Sequence, residues 1–216
     1  MSTIATGRRN FPPEYLTFKT CGVPAEYFAF PGGEHRVNRF AARYRFAKEF
    51  QSARFESFGS TTAAGYSALC KLLFTYAAFE ALRRALNLGK DLTALDLTPY
   101  PLREWDAALR AAPTHDRLFK FLTWRQMLEN GNLRAQCRQF LAGKDYNVLL
   151  LATAVRNSFA HGHLTPGANK TEAGDTATIC GVLVTAFVAV MDAEFSRRVT
   201  EPLEELEAAM RQSLEP

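Results

Sequence analysis

The stretch Val148–Leu164 reads VLLLATAVRNSFAHGHL. From Val148 to Val155 it carries no charge and Thr153 is its one polar residue, so no face is left for water. A helix that is apolar all round belongs in a core. Arg156 and Asn157 therefore emerge at the end of a buried element, where an unpaired guanidinium is costly to desolvate. Something has to face Arg156: a carboxylate, a partner chain or a phosphate. His161 lies four residues after Asn157 on the same helical face, and Gly162 lets the helix stop at the imidazole. At that end the helix dipole favours a protonated ring.

Toward the C-terminus, Gly162–Gly174 (GHLTPGANKTEAG) is a polar loop. Asp175–Thr200 is a long helix, apolar through Val190, and Pro202 marks its end or a kink. Toward the N-terminus, Asp145 is placed to cap the central helix. Leu133–Ala142 reads as a short helix stopped by Gly143, and Thr114 is placed to cap a helix running to about Asn130. Leu102–Ala111 is a further short helix, preceded by the Pro-bounded connection Lys90–Pro101. Ala64–Leu88 is a long helix ended by Gly89. Its only acid is Glu80, a candidate partner for Arg156, with an intrahelical pair to Arg83 or Arg84 as the alternative.

The first quarter of the chain differs in character. Pro12, Pro13, Pro24 and Pro31 prevent any long helix in Met1–Gly33, which reads as a strap. Its extended pieces Tyr15–Lys19 and Glu26–Phe30 could pair as a small hairpin. Glu34–Ser57 is an amphipathic helix with Val37, Phe40, Ala41, Tyr44, Ala47 and Phe55 near one stripe and Arg36, Arg39, Arg43, Lys48 and Arg54 around it. Such a face is a solvated surface or, with its interleaved aromatics, an RNA-binding one. After residue 60 there is no period-2 strand and no repeat. The expectation is an all-α protein: a basic, aromatic extension over 1–58, and a helical bundle over 59–216.

Composition agrees with a globular chain, since 47% of the 216 residues are hydrophobic and 22% charged. Residues 1–58 hold nine Lys or Arg against five Asp or Glu, and the remainder holds seventeen of each, so the net +4 charge sits in the first quarter. Cys21, Cys70, Cys137 and Cys180 are scattered singly, which excludes a recognisable zinc site and suits free thiols in a reducing compartment. Met1–Asn10 is polar with no apolar segment after it, so a cytoplasmic location without a membrane partner is expected. The apolar window Ile179–Met191 is about 13 residues against roughly 20 for a span, and reads as a core helix.

Nucleotide-loop, nucleophile-elbow and metalloprotease motifs are absent. What remains is Arg156-Asn157-x-x-x-His161. An imidazole moves protons near neutral pH and a guanidinium holds a phosphate bidentately. Those groups suffice for metal-free RNA cleavage: a base takes the 2′-OH proton, a cation stabilises the phosphorane and an acid protonates the leaving 5′-oxygen. A second imidazole has to come from His163 or from His161 of a symmetric copy. Arg110 and His115 repeat the spacing, but Pro113 interrupts them and no Asn follows the Arg.

At VRNSFAHG the chain resembles the HEPN superfamily (higher eukaryotes and prokaryotes nucleotide-binding), whose hallmark is R-x(4–6)-H near the end of a late helix. TYAAFEALRRAL is similar to that family's first long helix, and the resemblance covers roughly residues 60–200. It implies a homodimer with a composite site, metal-independent endoribonuclease activity with no cofactor, and a role in toxin–antitoxin, phage-defence or RNA-processing systems. An antitoxin or protein inhibitor would then restrain it. By the resemblance Arg156 and His161 are catalytic and Asn157 supports them, with Glu80 and His163 as further supporting candidates. The family also includes non-catalytic modules that bind a protein or nucleotide, the alternative for this chain. A third reading, a bundle binding a small ligand, predicts an apolar internal pocket away from Arg156.

Overall fold

The computed structural model describes residues 10–89, 92, 95–125 and 131–214. It is all-α, with no strand among those residues. The helices are α1 (Tyr15–Thr20), α2 (Gly33–Glu49), α3 (Ser60–Ala85), α4 (Leu102–Ala111), α5 (His115–Arg125), α6 (Gly131–Leu141), α7 (Val148–Ala160) and α8 (Ala173–Leu214). Two 3-10 turns, Ala25–Phe28 and Ala168–Lys170, lie between them. The chain forms two compact units that do not follow its order. One comprises Phe50–Tyr76 and Asp91–Val188; the other comprises Met1–Glu49, Ala77–Lys90 and Ala189–Pro216. α3 and α8 each contribute to both.

The first unit is built around α7. Leu149, Leu151, Ala152, Ala154 and Val155 are fully buried, as an apolar run without a polar face requires. α5 packs on α6 and on α7, and α6 packs on α7. Phe140 of α6 centres one end of this core, with the rings of Phe119 and Tyr146 at 4.6 and 5.1 Å. The loop after α7 is anchored along its length. Pro166 lies so close to α3 that a Cβ on Gly65 would come within 2.6 Å of it. Thr176 donates to the Pro166 carbonyl at 2.7 Å, Asn169 to the Arg117 carbonyl at 2.8 Å, and Arg117 to the Lys170 carbonyl at 2.9 Å.

The second unit gathers aromatics on Phe195 of α8, which meets Phe18, Phe30 and Phe40 at 5.4–6.2 Å. The buried stripe of α2 is Val37, Phe40, Ala41, Tyr44 and Ala47. Tyr44 donates to Asp192 Oδ1. Burial pushes the Asp192 carboxyl above its usual range, although Tyr44 and the nearby Lys48 act in the opposite sense.

Several elements depart from expectation. Tyr15–Thr20 and Ala25–Phe28 are helical turns and not a hairpin: the Phe18 and Cys21 amides bond the Glu14 and Thr17 carbonyls, and the Ala29 amide bonds the Glu26 carbonyl, so local bonds take groups that a strand ladder would need. α2 stops at Glu49, and Phe55 is not on its stripe. The segment beyond is held instead by α3: the Ala53 amide donates to Ser67 Oγ at 3.1 Å, Phe50 meets Phe74 at 5.1 Å, and Phe55 meets Tyr66 at 5.7 Å. α8 runs through Pro202 to Leu214. The expected helix end near Asn130 lies outside the described residues. By length and composition α8 is, among them, the one helix able to cross a membrane; its window has mean hydropathy 1.9, and 44% of it is buried.

Candidate functional site

α7 starts at Asn147, whose Oδ1 accepts from the amides of Leu149 and Leu150 at 2.9 and 3.2 Å. The cap is therefore Asn147 and not Asp145, since the first turn begins at Val148 and places Asn147 at the capping position. Thr114 precedes α5, but its hydroxyl donates to Asp175 and accepts from the Glu172 amide, tying α5 to the start of α8. At the other end of α7, His161 is the last residue before Gly162 turns left-handed at φ 72°. The Gly162 amide bonds the Phe159 carbonyl and the His163 amide bonds the Ser158 carbonyl, at 2.9 and 2.8 Å. This closure satisfies the free carbonyls of the last turn and leaves the His161 side chain exposed.

What meets Arg156 is an aromatic ring. Its guanidinium carbon lies 4.2 Å from the centre of Tyr76, a buried residue of α3 that packs edge-on against Phe187. Arg156 Nη1 donates to Asn157 Oδ1 at 2.8 Å, while its Nε is buried without a partner. A ring face attracts a cation without imposing the strongly directional geometry of a carboxylate. Glu80, one turn beyond Tyr76 along α3, is half-buried and makes no ion pair among the described residues. Arg83 instead donates to the Gly89 carbonyl.

His161 stands on a different group. Its ring lies 6.3 Å from that of His163, inclined by 30°. His163 Nε2 receives a hydrogen bond from Arg125 Nη2, from the last turn of α5. The candidates thus form two pairs, Arg156 with Asn157 and His161 with His163. Among the described residues no hydrogen bond, ion pair or ring contact joins Arg156 to His161.

Arg36 and Arg39 are exposed on α2, and Arg43 and Lys48 are half-buried. Arg36 donates to the Arg84 carbonyl at 2.9 Å, and the Lys48 ammonium lies 5.6 Å from the Tyr44 ring. Arg39 and Arg43 make no hydrogen bond or ion pair among the described residues. The second Arg-x4-His pair is structural. Arg110 bonds Asp106 and lies 4.3 Å over Phe140, and the His115 ring abuts Phe140 as well. Burial pushes the thiols of Cys137 and Cys180 up to about 12, so neither is a ready nucleophile. Among the described residues no three His, Cys, Asp or Glu side chains stand together as metal ligands.

Sequence reasoning missed Tyr76 and Arg125. Tyr76 shares its helix with Glu80 but carries no charge to mark it as a partner. Arg125 is 38 residues from His163, and no spacing rule links them. Comparison with known protein families, with curated proteins and with solved structures yielded no match.

Proposed function

We propose that this chain is a HEPN-like, metal-independent endoribonuclease acting as a homodimer, with Arg156 and His161 as its reacting groups and Asn157 as the holder of Arg156. The observation that supports this reading is the end of α7. A guanidinium fixed by Tyr76 and Asn157 and an exposed imidazole at a closed helix terminus emerge within six residues of one another. In the reaction His161 removes the 2′-OH proton, the 2′-oxygen attacks phosphorus, and Arg156 stabilises the negative charge on the phosphoryl oxygens. The P–O bond to the 5′-oxygen breaks, and a second imidazole protonates that oxygen. His163, or His161 of a second copy, supplies it. The products are a 2′,3′-cyclic phosphate and a 5′-hydroxyl. Arg36, Arg39, Arg43 and Lys48 on α2 are proposed as an RNA-binding face belonging to the other unit by itself, and an antitoxin or other protein inhibitor in the cytoplasm is the proposed restraint.

A second reading has its own observation. Arg156 already has two partners within the fold, as it would in a non-catalytic module of the same kind that binds a protein or nucleotide. The test is cleavage of total RNA in EDTA by wild type, Arg156→Ala and His161→Ala, with product ends analysed. Chelator-resistant cutting that leaves cyclic phosphates, and that both substitutions abolish in folded protein, is the expected result. Intact RNA with wild type, together with a lowered melting temperature in Arg156→Ala, favours the binding module.

A further inference from the structure

We infer that the cleft between α4 and the segment joining α6 to α7 binds a small organic oxyanion, its charge held by Arg103 and Lys144 and its apolar body by Leu102, Tyr146 and Val148. The cleft has a volume of about 390 Å³ and lies wholly within one unit of the chain. That volume falls at the lower end of the range of small-molecule pockets, roughly 300–1,000 Å³. Val148 opens α7, whereas Arg156 lies near its other end, about 12 Å along the helix at 1.5 Å per residue. The cleft is therefore a separate place from the Arg156 and His161 end.

Its walls are fixed by the fold itself. Asp106 of α4 accepts from the Arg110 guanidinium at 2.9 Å and from the Tyr146 hydroxyl at 3.1 Å. Arg110 also donates to the Phe140 carbonyl at 2.9 Å and lies 4.3 Å over the Phe140 ring. The segment that carries Lys144 is held as firmly. The Gly143 and Lys144 amides bond the Phe140 and Gln139 carbonyls, and the Asn147 amide bonds Gln136 Oε1 at 2.7 Å. A ligand entering such a frame orders little of the chain.

Charge then selects the occupant. Arg110 is matched by Asp106, so that pair contributes no net charge. Arg103 and Lys144 line the same cleft, are exposed, and make no hydrogen bond or ion pair among the described residues. Asp145 is the one unpartnered acid of the lining, which leaves a positive charge in excess. An oxyanion takes charge-assisted bonds from an ammonium and, bidentately, from a guanidinium. Leu102, which is 36% exposed, adds apolar surface with Tyr146 and Val148, and a bare ion would leave that surface wet. The occupant is a phosphate or carboxylate carried on an apolar body of modest size.

The test is an NMR titration of the full-length, 15N-labelled protein with phenyl phosphate, benzoate, inorganic phosphate and benzyl alcohol. At least one of the two aromatic anions is expected to shift the amides of 102–110 and 143–148 saturably, and the tighter of them names the oxyanion. Inorganic phosphate lacks the apolar body and benzyl alcohol lacks the charge, so each should bind about tenfold more weakly or worse. Arg103→Gln and Lys144→Gln should each weaken the aromatic anion about fivefold or more. Neither side chain holds another residue, so the melting temperature should stay unchanged. Leu102→Ser should weaken the aromatic anion and leave inorganic phosphate unaffected. No saturable shift with either aromatic anion, shifts spread over α2 instead, or Gln variants that bind as wild type does, overturns the inference. Inorganic phosphate binding as tightly as the aromatic anions overturns the ligand class.

Discussion

Arg156 is the residue on which architecture and chemistry meet. Its guanidinium lies against Tyr76, so the ring both shields the charge and fixes its direction. Replacing Tyr76 by Leu should destabilise the fold by about 2–4 kcal/mol, from lost aromatic packing and lost cation–π attraction. A double-mutant cycle of Tyr76→Leu with Arg156→Met, read by urea unfolding, should return a coupling of about 0.5–2 kcal/mol. A coupling near zero would show that the ring merely neighbours the guanidinium. If the ribonuclease reading holds, Tyr76→Leu also slows cleavage although Arg156 is chemically intact. Asp192 offers a separate test. Its folded carboxyl is raised by burial above the usual 3.8, so the folded protein holds the proton to higher pH than the unfolded chain. Stability from this group is therefore present at low pH and is lost as pH rises from about 3.8 through the raised value. Asp192→Asn still accepts from Tyr44 but cannot ionise, and its unfolding free energy should fall less over that rise than that of wild type. Parallel curves for the two proteins would remove Asp192 as the source.

α7 is held at both ends by single residues. Asn147 satisfies two free amides, and Asn147→Ala should cost about 1 kcal/mol. Gly162 has open space where a Cβ would stand, so Gly162→Ala suffers only the left-handed backbone penalty, again about 1 kcal/mol. The two substitutions separate in their effects on the site. Loss of the first cap frays the buried end of α7, whereas Gly162→Ala disturbs the turn that sets His163 against His161. The expected outcome is similar loss of unfolding free energy in both, with the mutual imidazole contacts in NMR weakened only in Gly162→Ala. The last helix shows how packing overrides a local breaker. An interior proline costs about 3 kcal/mol in a helix, yet α8 passes through Pro202. Before it, Phe195 and Val199 are fully buried, and Tyr27 bonds the Pro202 carbonyl at 3.4 Å.

The chain's two units alternate along the sequence, and residues 1–58 divide between them after Glu49. Phe18, Phe30 and Phe40, all within that stretch, cover Phe195 in the middle of α8. A protein beginning at Gly59 would leave Phe195 uncovered by any of them. Such a truncation should bind a hydrophobic dye and aggregate at concentrations where the full chain is soluble. Phe195→Ala in the full chain should cost about 3–5 kcal/mol. A well-behaved, cooperatively unfolding 59–216 fragment would refute this dependence.

Much of the fold was legible in the residues themselves. VLLLATAV without a polar face had to be a buried helix, Gly162 had to end it, and the 3.6-residue stripe Val37–Ala47 had to face a core, because these follow from local sterics and burial. Leu102–Ala111 ends where Pro113 makes it end. Local sequence could not decide which ring meets Arg156, that α2 stops at Glu49, that Pro202 is tolerated, or that Arg125 reaches His163. Each of these is a contact between residues far apart in the chain, and its energy exists only once both partners have been brought together. The Arg-Asn-x-x-x-His pattern therefore marked the end of α7 as the place to look. Tertiary packing divided it into an arginine held by Tyr76 and a histidine paired with His163, since side-chain direction at a helix end is set by the neighbours that fill the space around it.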